Sequence, residues 1–285
     1  MKLNVLAIVA HPADSFDMIG GTLANHVNDG DNVTLVVMDS TDMLNIFSLA
    51  DEMKKGKVSQ ARIEEAVQNH VQSVTDACHI LGLEDVRFLK YQGEWLCHSP
   101  ELVGKMADLI QDVRPHLLIT HNPLEDGGAS EHAVCGRMAV EAVYVAEGAR
   151  DTELPPHHVG QVYFMYWPGV TTWLDATTAN RYGAIMIDVT ERIEQKVRAY
   201  AQLSAHYVNM RHAAKLMEGI CGGPGHHIRV AYVEGFQPYR PEVYKKLPIS
   251  EHNLWLSGKG WKDGIKKVKL IAPYLEGVQE CSDDR

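Results

Sequence analysis

Short apolar runs alternate with longer segments of helical spacing along most of this chain, and few folds accept that rhythm. Runs at 5–10, 33–38, 86–91, 117–121, 162–167 and 184–189 have the length of buried strands, and 231–236 offers a last one. Between them, 20–27, 61–81, 100–113, 132–147 and 190–218 carry apolar residues at helical intervals. Gly82 stands where a helix ending at Leu81 needs a C-cap. Strands alternating with helices predict an α/β fold, a Rossmann-like, mostly parallel sheet with helices on both faces. The polar stretch 39–59 is expected to form an active-site loop with a short helix, and Gly222-Gly223-Pro224-Gly225 a flexible loop. Residues 1–240 are expected to make one catalytic domain. Residues 241–285, with lysine pairs and little periodicity, are expected to be an extension packed on it or trailing from it.

Composition narrows the function. Hydrophobic residues at 45% and charged residues at 22% exclude a disordered chain, a collagen and a coiled coil. Acidic residues outnumber basic ones by 37 to 27, which argues against a general nucleic-acid or anionic-membrane surface and leaves room for a local basic pocket. The five cysteines are odd in number and lack C-x-x-C spacing, a pattern that suits a reducing cytoplasm. The apolar start is short, is interrupted by Asn4 and runs at once into His11-Pro12-Ala13-Asp14, so it reads as a first strand and not a signal peptide. No run reaches the ~18 apolar residues of a membrane span. The expected partner is a small-molecule substrate, with no nucleic acid and no membrane, and a homo-oligomer left open.

In a parallel sheet of this kind, ligands bind beyond the carboxyl ends of the strands. His11, Asp39, Tyr91-Gln92 and His121-Asn122 all fall at or just after such ends and are expected to gather on one rim. There are 15 histidines, and histidine is the commonest metal ligand. In His11-x-x-Asp14 an imidazole and a carboxylate share a tight loop, and Glu131-His132 opens the helix after the fourth strand. Two histidines and one carboxylate leave a fourth position for water, as in a catalytic zinc site. An H-x-x-D by itself equally describes a loop histidine beside a capping aspartate.

Several further elements occur in order. They are Ala10-His11-Pro12-Ala13-Asp14 with Gly20-Gly21, then Arg62-Ile63-Glu64-Glu65-Ala66, then Thr120-His121-Asn122-Pro123 and Ala129-Ser130-Glu131-His132. After these come Ile187-Asp188-Val189-Thr190, Lys196, His206 and Tyr232-Val233-Glu234-Gly235-Phe236. Over roughly the first 240 residues the chain resembles the PIG-L/LmbE-like superfamily, best known for zinc-dependent N-deacetylases. The resemblance implies His11, Asp14 and His132 as metal ligands, holding Zn2+ or another divalent ion such as Fe2+ or Mn2+.

Three departures weigh on the reaction. The resemblance places a general base at position 13 and an oxyanion-supporting histidine at position 129, both alanine here, and in some members a helping tyrosine at position 127, here Gly127. Losing a general base costs typically ~10²–10⁴-fold, and losing an oxyanion donor costs a similar amount. The 4-oxalomesaconate hydratase branch of the superfamily is similar around H-x-A-D. It implies a hydratase adding water to a small unsaturated oxo-carboxylic acid, which is the favoured expectation. That branch also implies a glutamate after the second strand and a histidine after a later one. Here Asp39-Ser40-Thr41-Asp42 and Tyr166-Trp167-Pro168-Gly169 occupy those places. The alternatives are an N-deacetylase of an N-acetyl sugar or related conjugate with a relocated base, and a non-catalytic metal-binding relative.

Each further candidate has two readings. Asp42 is either a displaced acid/base or a loop cap. Glu131 either orients a histidine or relays a proton, or is a helix N-terminal charge favoured by the dipole. His121 either supports the site or packs in the core. Arg62 either forks onto a substrate carboxylate or pairs with Glu65 one helical turn away. Gln92 and Asn122, at strand ends, are substrate-binding candidates. Glu125 and Asp126 are weaker acid/base candidates in the same loop as His121.

Overall fold

The structure, a computed structural model, describes residues 1–38, 46–89, 95–166, 185–203 and 208–268. Its strands are β1 (Asn4–Val9), β2 (Asn32–Val37), β3 (Asp85–Phe88), β4 (Leu117–Thr120), β5 (Gln161–Tyr166), β6 (Ile185–Asp188) and β7 (Val233–Pro238), in the sheet order β3-β2-β1-β4-β5-β7-β6. β1 to β5 run parallel, and β7 inserts antiparallel between β5 and β6. The mostly parallel α/β sheet read from the apolar rhythm is therefore present, with β1 near its middle.

The period-2 alternation of β1 feeds two cores. Val5, Ala7 and Val9 join one apolar cluster, and Leu6, Ile8 and Ala10 the other. The helices are α1 (Asp14–Asp17), α2 (Gly20–Asn28), α3 (Phe47–Lys55), α4 (Gln60–Ile80), α5 (Pro100–Val113), α6 (Glu131–Glu147), α7 (Ile193–Ala201), α8 (Met210–Met217), α9 (Gly223–Ile228), α10 (Glu251–Ser257) and α11 (Trp261–Lys266). Apolar residues of α2, α4, α7 and α8 cover the first face, and those of α5 and α6 cover the second. No helix among the described residues is long and apolar enough to cross a membrane.

Two expectations change. The single helix expected over 190–218 is a 3-10 turn at Thr190–Arg192, then α7, then a fresh start at α8. Asn209 sets that start, because its side chain accepts the His212 backbone N–H as an N-cap. The glycine-rich stretch 222–225 is not a loop. A π-helical turn, Glu218–Gly222, runs straight into α9. Pro224 lies in the first turn of α9, where its missing N–H costs nothing. Gly225 is buried, and a Cβ there would sit 2.7 Å from the Val230 carbonyl oxygen, so this glycine serves close packing.

Candidate metal centre

The centre lies where β1 and β4 end side by side. His11 follows β1, and the Pro12-Ala13 turn leads into α1, whose first residue is Asp14. The His11 backbone N–H donates to Asp14 Oδ2 at 2.8 Å, which folds the carboxylate back toward its own strand end. His121 follows β4 and is fully buried, and its Nε2 accepts the Ala10 backbone N–H at 3.0 Å. Beyond it a 3-10 turn, Glu125–Gly128, leads to Ser130, whose hydroxyl accepts the Ala133 N–H and caps α6. That cap puts Glu131 and His132 in the first helical turn. α6 comes this close only because residue 136 is glycine: a Cβ there would lie 2.2 Å from the His121 carbonyl oxygen.

Donor atoms of three residues converge. His11 Nδ1 stands 3.1 Å from His132 Nε2; one Asp14 oxygen, Oδ2, is 3.5 Å from His11 Nδ1, and the other, Oδ1, is 3.4 Å from His132 Nε2. Ligands held ~2.0–2.1 Å from a tetrahedral zinc ion lie roughly 3.3 Å from one another. The spacing of these atoms fits that figure, and the trio is one of two His/Asp/Glu groups among the described residues able to hold a metal ion.

The far nitrogen of each outer imidazole is held by a carboxylate. His11 Nε2 faces Glu131 Oε2 at 2.9 Å, and His132 Nδ1 faces Glu125 Oε1 at 2.6 Å. With those nitrogens donating, His11 Nδ1 and His132 Nε2 are the atoms turned toward Asp14, and they can ligate once they lose their protons. Glu131 is itself anchored by the Leu96 backbone N–H. The second possible group, His121, Glu125 and His132, shares the same imidazole. His121 lies stacked against His132, with ring centroids 4.2 Å apart.

The charges are strongly coupled. Burial pushes the His11 pKa down, but hydrogen bonds to Asp14 and Glu131 outweigh it and raise it to about 9. For His132 burial is likewise outweighed, by Asp14 and Glu125, and the pKa rises to about 11. Burial would raise the Asp14 pKa, yet the charges of His132 and His121 hold it well below the usual carboxylate range. Burial pushes the His121 pKa down.

A buried ion pair underpins the turn that carries Asp14. Lys196 Nζ donates to Glu234 Oε1 at 2.5 Å, to the Asp17 carbonyl at 2.8 Å and to Cys221 Sγ at 3.2 Å. Glu234 in turn accepts the backbone N–H groups of Gly21 and Thr22 at 2.8 and 2.7 Å, taking up free donors at the start of α2.

The sequence-derived candidates separate here. His11, Asp14, His121, Glu131 and His132 come together. Asn122 borders them, with its Oδ1 accepting the Leu124 N–H at 2.9 Å. Arg62 is engaged elsewhere: its guanidinium forks onto Glu52 at 2.7 and 3.1 Å and reaches Glu65 at 3.3 Å. Asp39, Asp42, Tyr91, Gln92, Trp167 and His206 lie outside the described residues. Sequence reasoning weighed Glu125 only as an acid/base, whereas its carboxylate holds His132. The seven-residue spacing across a loop carried no such signal. Lys196 and Glu234 carry no role that the sequence alone assigns.

Residues 6–143 match the family described as PIG-L, GlcNAc-PI de-N-acetylase. The matched stretch holds all six side chains of the centre, while Lys196 and Glu234 come from beyond it. Among curated relatives, the chain is 25% identical over 243 residues to a 1D-myo-inositol 2-acetamido-2-deoxy-alpha-D-glucopyranoside deacetylase of Mycobacterium sp. (strain KMS), covering 74% of this chain and 75% of that protein. A deacetylase of the same description from Streptomyces griseus is 26% identical over 184 residues, and the match spans 54% of its length and 56% of this chain. Among solved structures, 4-carboxy-2-hydroxymuconate hydratase from Pseudomonas putida KT2440 shares the fold with TM-score 0.68 at 21% identity, covering 87% of this chain and 100% of that one. N,N'-diacetylchitobiose deacetylase from Pyrococcus horikoshii does so with TM-score 0.64 at 18% identity, covering 82% of each chain. The fold is thus shared with a hydratase and with a deacetylase.

Proposed function

We propose that this protein is a metal-dependent hydrolase that removes the acetyl group from an N-acetylated amino-sugar conjugate, with His11, Asp14 and His132 as metal ligands. The observation that carries the reading is the convergence of donor atoms from those three residues, 3.1 to 3.5 Å apart, with a carboxylate behind each imidazole. The long alignments with amino-sugar deacetylases favour this reading over the hydratase expected from the two alanines. Zinc bound there would polarise a carbonyl oxygen and lower the pKa of water to about 7.

The chain's own residues then divide the work. Glu131 and Glu125 fix the two imidazoles by their outer nitrogens, so that the inward nitrogens are the ones that give up a proton to a metal. Both oxygens of Glu131 are taken, one by His11 and one by the Leu96 N–H, so it positions a ligand and does not exchange protons with substrate. Ala13 has no proton acceptor. We assign that role to Asp42, in the segment between β2 and α3, because Asp14, Glu125 and Glu131 are all committed to imidazoles. Hydration of an unsaturated oxo-acid stays as a second reading, favoured by Ala13 and Ala129, since no tetrahedral amide adduct needs their missing groups.

The zinc-loaded protein is expected to release acetate from a glucosaminyl-inositol bearing an N-acetyl group. Asp42→Asn should lower kcat by ~10²–10⁴-fold, and His11→Ala should abolish release. Loss of conjugated ultraviolet absorbance from oxo-dicarboxylic acids, without acetate, would replace this reading with the hydratase. Inertness toward both substrate classes would leave a non-catalytic metal-binding relative.

A further inference from the structure

After β7 the chain forms a strap pinned at both ends. At its start, Gln161 Nε2 donates to the Arg240 carbonyl and to Glu242, both at 2.9 Å, and the Tyr163 hydroxyl donates to Glu242 at 3.1 Å. At its far end His252 Nε2 donates to the Ile228 carbonyl at 2.8 Å, and the Arg229 guanidinium lies 4.0 Å over the Trp261 ring. Between these anchors every residue from 241 to 250 is exposed. Val243 is 94% exposed, Leu247 93% and Ile249 60%. Anchored ends hold these side chains out in water, so their exposure is not the fraying of a chain terminus. Singly scattered exposed apolar residues need no account, but Val243, Tyr244, Leu247 and Ile249 are all exposed within one seven-residue stretch, a concentration that suits a surface for contact.

The charge of the strap says what it would meet. Residues 239–268 carry seven Lys or Arg against three Asp or Glu, whereas the rest of the chain carries 20 basic and 34 acidic residues. A basic, apolar strap therefore sits on a strongly acidic body. We propose that the strap docks on the acidic body of a second copy of this chain, with Val243 and Leu247 as apolar anchors and Lys245 and Lys246 meeting its carboxylates. If the exchange is reciprocal, two straps close a two-fold dimer and leave neither exposed.

Light scattering after size exclusion tests this on the full chain at about 50 µM. The expected result is a dimer at low salt whose Kd rises with ionic strength, as an interface steered by charge requires. Val243→Asp with Leu247→Asp should give a monomer with unchanged circular dichroism and unchanged bound zinc. Lys245→Glu with Lys246→Glu should weaken the dimer at least ~10-fold. A wild-type chain that is monomeric at this concentration overturns the proposal, as does a dimer that survives the double aspartate variant. Co-sedimentation of monomeric protein with phosphatidylserine vesicles would overturn it in favour of an anionic lipid surface.

Discussion

His132 is held from both sides, by Asp14 near Nε2 and by Glu125 on Nδ1. Glu125→Gln keeps a hydrogen-bond acceptor there but removes the charge that makes the imidazole a strong donor. Its zinc Kd should rise by ~10–100-fold with little change in fold, as measured by competition with a chromophoric chelator. The same charges set a pH dependence. Without metal, His11 keeps its proton up to about 9 and His132 to about 11, so binding a cation must expel protons. Metal affinity should therefore rise steadily from pH 6 to 9. Stability of the metal-free protein should run the other way. Imidazoles whose folded pKa is raised stabilise fully below their unfolded value near 6.5 and lose that contribution as pH climbs through the folded value. Asp17 adds to the trend. Burial, reinforced by Asp14, raises its pKa to about 8, so its ionisation destabilises the fold as pH rises from about 4 to 8. In chelator the urea midpoint should fall between pH 6 and 9, and Asp17→Asn should flatten the slope. A midpoint that rises over this window would show that these groups are not coupled as described.

At the level of elements, α6 delivers two side chains to the centre and its position hangs on one missing Cβ. Gly136→Ala places a methyl 2.2 Å from the His121 carbonyl oxygen, which is backbone and cannot swing aside. The helix must shift, and His132 and Glu131 shift with it. The expected outcome is loss of zinc binding together with a fall in stability of ~1–3 kcal/mol, read from denaturant titration. A variant with normal stability and full zinc content would show that α6 has slack. This dependence was not legible in the sequence, where Gly136 is one apolar-neutral residue inside a good helical pattern. By contrast, His11 and Asp14 were legible because their spacing is local: strand end, tight turn and helix start fall within four residues. Glu125 reaches His132 across an irregular loop, and Glu234 and Gly136 act through contacts fixed by how separate strands and helices pack, none of which periodicity encodes. The break in the helix expected over 190–218 was hidden for a different reason. Asn209 competes as a local cap inside a stretch whose apolar spacing continues on both sides of it.

For the whole molecule, the sheet is one continuous body from β3 to β6, and the proposed ligands come from either side of its middle. A metal that binds only the folded chain stabilises it by RT ln(1 + [L]/Kd), about 4 kcal/mol at 1,000 times Kd. Adding zinc to chelated protein should raise Tm by several degrees in wild type and by almost nothing in His132→Ala. An equal rise in both would move the binding site elsewhere. The sequence made this architecture legible from the alternation of strands and helices. It did not reveal that β7 runs against its neighbours, since an apolar run carries no direction. Yet the position of β7 fixes an order of events. All three proposed ligands have been synthesised by residue 132, about a hundred residues before Glu234. That carboxylate and its lysine secure the start of α2 and the end of α1. On the ribosome the donor set therefore emerges before its footing exists.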